Sequence, residues 1–152
     1  MSNLQDIWDS YKDRLKKSYE DGNFDAWCDL WADDKPTSDK PTFVVKYGEQ
    51  GEDGFKEEVL EGRDKIVSLF SNSIGKIEIR FEDNGPVYVT QNKSDTFLVI
   101  SDFIATIIKS GYPYKNRILC QVTLDEQRKI KKLIEYADPI KRQNFLKELK
   151  QA

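Results

Sequence analysis

The chain contains no histidine, only two cysteines (Cys28 and Cys120) and no long uncharged apolar run. Each shortage excludes something. Without histidine there can be no Ser-His-Asp or Cys-His nucleophile and no usual zinc ligand set. Two cysteines cannot build the disulfide framework of a small secreted domain, and each lies in an apolar pattern typical of packing thiols. The longest apolar stretch, residues 97–108 ("FLVISDFIATII"), is broken by Ser101 and Asp102 and is too short to span a bilayer, so no membrane role is expected. Neither sign of charge dominates. With 24 basic against 27 acidic residues and a net charge of -3, the chain has no general attraction for nucleic acid or anionic lipid. The charge-dense opening does not resemble a secretion signal, which makes the cytoplasm the expected location. No cofactor motif is present, so no cofactor and no metal are expected.

What remains is a soluble-type composition, 38% hydrophobic and 34% charged over 152 residues. One domain over residues 1–152 is expected, large enough to hide about 70% of the surface of its unfolded chain. Leu4, Ile7, Trp8, Tyr11 and Leu15 recur at helical spacing and predict an amphipathic helix that Gly22 stops. Asn23 is placed to cap a second helix, in which Phe24, Trp27 and Trp31 share a face. A Pro-bearing loop follows at 33–41, then a strand at 42–47. The acidic, glycine-bearing segment 48–54 ("GEQGEDG") lacks the alternating ligand spacing of a calcium loop and reads as a solvated loop. Val59 and Leu60 suit a short strand, and Ile66, Leu69 and Phe70 mark a third helix.

From residue 77 the period changes to two. Ile77, Ile79 and Phe81 alternate with Glu78 and Arg80, and an extended piece follows at 86–90. Strands at 96–109, 115–124 and 129–137, joined by short turns, make an antiparallel meander. The basic run "RKIKK" at 128–132 reads as part of a solvated turn. Asp138 is a predicted N-cap with Pro139 at the first helical position of a closing helix. Helices grouped early and strands late argue an α+β domain with helices on one face of an antiparallel sheet.

Three segments carry a family likeness: "DGNFDAWCDLWADD" (21–34), "LEGRDKIVSLF" (60–70) and "YKNRILCQVTLDEQRKIKKLIEYADP" (114–139). In this order they resemble the SnoaL-like branch of the NTF2-like superfamily, which includes ketosteroid isomerases and polyketide cyclases. The resemblance implies a cystatin-like, cone-shaped barrel in which a strongly curved antiparallel sheet wraps around N-terminal helices. It also implies an apolar pocket for a small hydrophobic molecule. Because this fold hosts enzymes, binding domains and scaffolds, the likeness speaks to fold more than to function. The chain departs from some relatives in having Leu133 and Ile134 where a histidine neighbours the last-strand acid.

Glu135 is the first candidate residue. By alternation it shares a face with Leu133 and Ala137, and the resemblance places it at the acid/base position of the polyketide cyclases. It either faces an apolar pocket, where its pKa would rise, or pairs with Arg117 or a lysine on a neighbouring strand. Asp102 is the second, interrupting the most apolar strand; it either assists Glu135 or makes a hydrogen bond at an interface. Asn116 and Tyr114 are candidate substrate contacts, with Asn116 alternatively an ordinary turn residue. Trp27, Trp31, Phe43, Phe70 and Phe81 form a candidate aromatic wall. Tyr11, Tyr19, Tyr47 and Tyr88 are further hydroxyls among which no motif selects. Both faces of strand 96–109 are apolar, so a second subunit is the expected cover for the outer one, making a homodimer. The functional expectation is proton-transfer chemistry, as an isomerase or cyclase, on a small hydrophobic carbonyl compound. Its rivals are a non-catalytic ligand-binding pocket and a dimeric scaffold.

Overall fold

A computed structural model describes residues 3–34, 40–51, 54–82, 88–93 and 95–152, with side chains described outside 47–56 and 83–94. Helix α1 (Leu4–Asp21) opens on a capping box. The Asn3 side chain accepts from the Asp6 N–H at 2.8 Å, and the Asp6 carboxylate accepts from the Asn3 N–H at 3.4 Å. Gly22 ends it at φ 69, the left-handed conformation that glycine adopts without penalty. Trp8, Tyr11 and Leu15 are buried, as the spacing predicts.

Helix α2 (Asp25–Cys28) is a single turn, shorter than expected. The Asn23 side-chain Oδ1 accepts from the Asp25 N–H at 2.9 Å, although Phe24 is the cap residue. Trp31 does not continue the helix. The backbone of residues 30–32 instead pairs with Ile130, through Ala32 N–H to the Ile130 carbonyl and Ile130 N–H to the Leu30 carbonyl, each 2.8 Å. Long-range backbone pairing therefore overrides helical spacing at this point.

Strands β1 (Thr42–Gly51) and β2 (Gly54–Glu61) pair antiparallel, which corrects the loop reading at 48–51 and at Gly54, while 52–53 lie outside the described residues. The cross-strand pair Gly51↔Gly54 lies inside that segment and Gln50↔Phe55 borders it, beyond a register shift between Lys46 and Gln50. The antiparallel partner supplies the backbone bonds that composition alone does not reveal. Helix α3 (Arg63–Ser71) follows, then β3 (Ile77–Phe81), β4 (Tyr88–Lys93), β5 (Thr96–Ile107), β6 (Pro113–Leu124) and β7 (Ile130–Ala137). Helix α4 (Pro139–Leu149) is capped by the Asp138 carboxylate, which accepts from the Ile140 and Lys141 N–H groups at 3.0 and 3.1 Å.

The sheet order is β2-β1-β7-β6-β5-β3, with β4 also paired to β5. The expected meander β5-β6-β7 is present, but β7 also pairs with β1 in parallel, from Thr42↔Lys132 to Tyr47↔Ala137. The strand made last in the chain thus lies in the interior of the sheet. The inner face carries Phe43, Val45, Phe97, Val99, Val122 and Leu133, all at most 1% exposed, with α1, α2 and α3 contributing to the same core.

Arg63 ties the helices to the sheet. Its Nε donates to the Ala32 carbonyl at 3.0 Å, its Nη2 donates to the Trp31 carbonyl and meets Asp33 Oδ1 at 3.1 Å, and its backbone N–H reaches Asp34 Oδ1 at 3.0 Å. The acidic stop of one quoted segment and the Gly-Arg of the next are therefore the two halves of one latch. Gly62 precedes it at φ 95, a conformation that side-chain-bearing residues rarely adopt. We predict that Arg63→Met lowers folding stability by about 2 kcal/mol, the scale of charge-assisted hydrogen bonds to carbonyls left without their donor. A urea midpoint equal to that of the unsubstituted protein would dismiss the latch.

Candidate functional site

Glu135 sits near the end of β7, with Cys120 of β6 opposite it on one side and Val45 of β1 on the other. Side chains alternate across a strand, so the three project to one face. All three line an internal cavity of about 130 Å³. Trp8, Tyr11 and Leu15 of α1, Phe70 of α3, and Arg142 and Phe145 of α4 complete much of its wall. Phe43, Phe81, Phe103 and Tyr114 add aromatic surface from the strands. The volume is close to the roughly 150 Å³ apolar void that admits benzene in an engineered core. Leu146 both lines the cavity and is 39% exposed, so the wall built by α4 reaches solvent.

The Glu135 carboxyl makes no hydrogen bond or ion pair to any described residue. Burial pushes its pKa up to about 7, and the Arg142 guanidinium opposes part of that rise. Desolvation penalises the ionised form, and a nearby cation only partly restores it. The same end of the cavity holds three other titratable groups. Burial holds the Tyr11 hydroxyl well above its usual range, with Cys120 and Glu135 adding to the effect. Burial and the charge of Glu135 push Tyr114 up to about 12, against the hydrogen bond from Asn116. Cys120 is likewise raised, by burial first and by Glu135 second, and is held as a neutral thiol.

The hydroxyls separate by what they already do. Tyr19 donates to the Phe70 carbonyl at 2.8 Å, and Tyr114 accepts from Asn116 Nδ2 at 2.9 Å. Tyr11 lines the cavity and makes no hydrogen bond to a described residue. It stacks on Trp8 with ring centroids 4.8 Å apart, which holds the phenol in place. The side chains of Tyr47 and Tyr88 lie outside the described residues.

The candidates from sequence divide accordingly. Glu135, Tyr114, Phe43, Phe70 and Phe81 share the cavity. Trp27 and Trp31 do not line it. At 0% and 1% exposed they are sealed behind it, 5.7 Å apart between ring centroids, with Trp27 also 5.0 Å from Phe70. Asn116 does not line it either, and acts on it through the Tyr114 hydroxyl. Asp102 does not join Glu135, which corrects the expected pairing of two acids in one pocket. It lies on the opposite face of the sheet, where Arg117 Nε and Nη2 grip its carboxylate at 2.7 and 3.1 Å. That grip holds the Asp102 carboxyl below its ordinary range. The inner face of β5 is the Phe97, Val99, Phe103 and Ala105 side, so Asp102 follows Leu98 and Ile100 outward. Arg117 therefore belongs to Asp102 and not to Glu135.

Arg142 escapes sequence reasoning. It occupies the polar side of a helix with a weak apolar face, and only the packing of α4 across β6 and β1 brings it to the cavity. Among the described residues, no group of three His, Cys, Asp or Glu side chains is placed to hold a metal ion. No described helix is long and apolar enough to cross a membrane.

No family sequence model matches the chain, and no curated protein matches it in sequence. Solved structures do match it in shape. A provisionally assigned isomerase from Rhodopseudomonas palustris superposes with a TM-score of 0.65 at 12% identity, over 93% of this chain and 94% of that one. A provisionally assigned polyketide cyclase from Pseudomonas putida KT2440 gives 0.64 at 12% identity, over 93% and 96%. An NTF2-like protein from Exiguobacterium sp. 255-15 gives 0.60 at 18% identity, over 88% and 98%. Identities this low speak for the fold alone, and on that evidence of shape the chain has the NTF2-like, cystatin-like α+β fold, as its three quoted segments imply.

Proposed function

We propose that the protein takes a small hydrophobic carbonyl compound into this cavity and moves a proton on it, as an isomerase or cyclase. The observation that carries this reading is a carboxyl poised near neutrality, without a hydrogen-bond partner among the described residues, beside a tyrosine hydroxyl that no described residue engages, in an apolar space. Glu135 serves as acid/base. A pKa close to the working pH lets one group both take and return a proton. The Tyr11 hydroxyl is the donor suited to a carbonyl oxygen on which negative charge develops, and water exclusion strengthens that bond. Tyr114, oriented by Asn116, flanks the acid, and the aromatic wall selects an apolar substrate. The several structural neighbours described as isomerases or cyclases support this class of chemistry. A cavity of about 130 Å³ restricts the substrate to roughly benzene size unless α4 yields.

The rival is a pocket that binds such a molecule without reacting. Glu135→Gln separates the two. It removes turnover by a hundredfold or more, the scale of a positioned acid/base group, if Glu135 reacts. Unchanged turnover would exclude Glu135 from the chemistry, and unchanged or tighter binding with no turnover in either form would favour the rival. Because the first step takes a proton from the substrate, kcat/KM should rise with pH through about 7. Folding stability runs the opposite way. The folded value of about 7 lies above the ordinary 4.5, so the folded state binds this proton more tightly. The contribution of Glu135 to stability is therefore complete below 4.5 and is lost as the pH climbs through about 7. Glu135→Gln should flatten that decline in urea titrations at pH 5 and 8, and an equally steep decline would place the titration elsewhere.

We also propose a homodimer through the outer sheet face, in a cytoplasmic setting where Cys28 and Cys120 stay as free thiols. The exposed side chains Ile100, Leu119 and Tyr136 stand side by side across β5, β6 and β7, through the pairs Ile100↔Leu119 and Leu119↔Tyr136. Leu119→Asp should convert a dimer to a monomer in light scattering. A monomer before substitution would end this reading.

A further inference from the structure

Among the described residues that line the cavity, one is a cation, and it calls for an account. Arg142 lines the cavity from α4 with its side chain only 17% exposed. Its Nη2 meets Glu58 Oε2 of β2 at 2.8 Å, and that carboxylate is itself 40% exposed. A structural pair between α4 and β2 could be made wholly at the surface. Here the guanidinium borders the same apolar space as Glu135, which no described residue hydrogen-bonds. A shielded cation beside an apolar void favours an anionic guest, because low surrounding polarity strengthens the attraction. A planar guanidinium also matches a carboxylate in geometry, with two parallel N–H donors for two oxygens.

We infer that the ligand of this cavity is a small carboxylate, benzoate-sized, whose carboxyl group docks on Arg142 while its apolar body lies against the aromatic wall. The inference rests on the proposed small-molecule pocket and narrows its substrate to an oxo acid. With the acid group on Arg142, the rest of a short oxo acid extends toward Glu135 and the Tyr11 hydroxyl. Glu58 is the competitor that the guest's carboxylate displaces or shares. The groups around Glu135 are Tyr11 from α1, Tyr114 and Cys120 from β6, and Arg142 from α4. Of these only Glu135 changes charge near neutral pH. Its ionisation would repel a bound carboxylate, so anion binding weakens as the pH rises through about 7.

The test compares benzoate with benzamide, its neutral counterpart of similar shape, by calorimetric or NMR titration of the full chain at pH 6. Benzoate should bind about tenfold or more tightly than benzamide, the scale of one charge-assisted hydrogen bond. R142Q should erase that preference while leaving benzamide unchanged. E58Q should act in the opposite direction, tightening benzoate and not benzamide by removing the competing anion, and this arm stands even if R142Q fails to fold. The benzoate preference should fall between pH 6 and 8, and E135Q should hold it constant. Equal binding of the two probes in the unsubstituted protein, or a preference untouched in both R142Q and E58Q, would overturn the inference and leave the pocket reading standing. Entry of neither probe would overturn the pocket reading together with it.

Discussion

The parallel pairing of β1 with β7 is the constraint on which the rest of the structure depends. It inserts the last strand of the chain between β1 and β6, so that both edges of β7 are occupied. Its register, Val45↔Glu135, together with Cys120↔Glu135 on the other side, decides which way the acid points. Side chains alternate with a period of two, and a slip of one residue would turn Glu135 outward and Tyr136 inward. The alternation holds because Leu133, Val122 and Phe43 are wholly apolar and wholly buried on the inner side. The hydrophobic effect thus sets the register, and the register then imposes desolvation on one carboxyl.

The helices complete what the sheet begins. Trp27, at 0% exposed, touches Tyr11, Phe24, Trp31 and Phe70 at ring-centroid distances between 5.0 and 5.9 Å. Such edge-to-face contacts add to plain burial and hold α1, α2 and α3 in fixed relation. Arg63 fastens the segment after α2 to the start of α3 through the carbonyls of Trp31 and Ala32. The aromatic wall therefore divides into two layers. An outer layer of Trp27 and Trp31 makes the core rigid, and an inner layer of Phe43, Phe70 and Phe81 borders the cavity.

Much of this was legible in the chain. Gly22 and the Asp138-Pro139 pair have local physical roles that neighbouring residues fully specify, and both perform them. Alternation placed Leu133, Glu135 and Ala137 on one face and Ile134 and Tyr136 on the other. Other features were hidden for physical reasons. The acidic segment 48–54 has the composition of a loop, yet Gln50, Gly51 and Gly54 within it are paired across two strands. Trp31 keeps helical spacing with Trp27 but is drawn into a bridge with Ile130, almost a hundred residues away in the chain. Asp102 and Glu135 each interrupt an apolar strand, and strand pattern alone treats them alike. They differ because one faces helices and the other meets Arg117 on the outer surface.

The sequence by itself determined the α+β class, the order of helices and strands, the meander and the single acid on the inward face of the last strand. These follow from period, caps and turns, which act over a few residues. Only the tertiary structure decided that β1 lies beside β7, that Arg117 belongs to Asp102, and that Tyr11 and Arg142 meet Glu135 at one cavity. Those relations join residues distant along the chain, and they depend on packing, register and desolvation, none of which local pattern encodes.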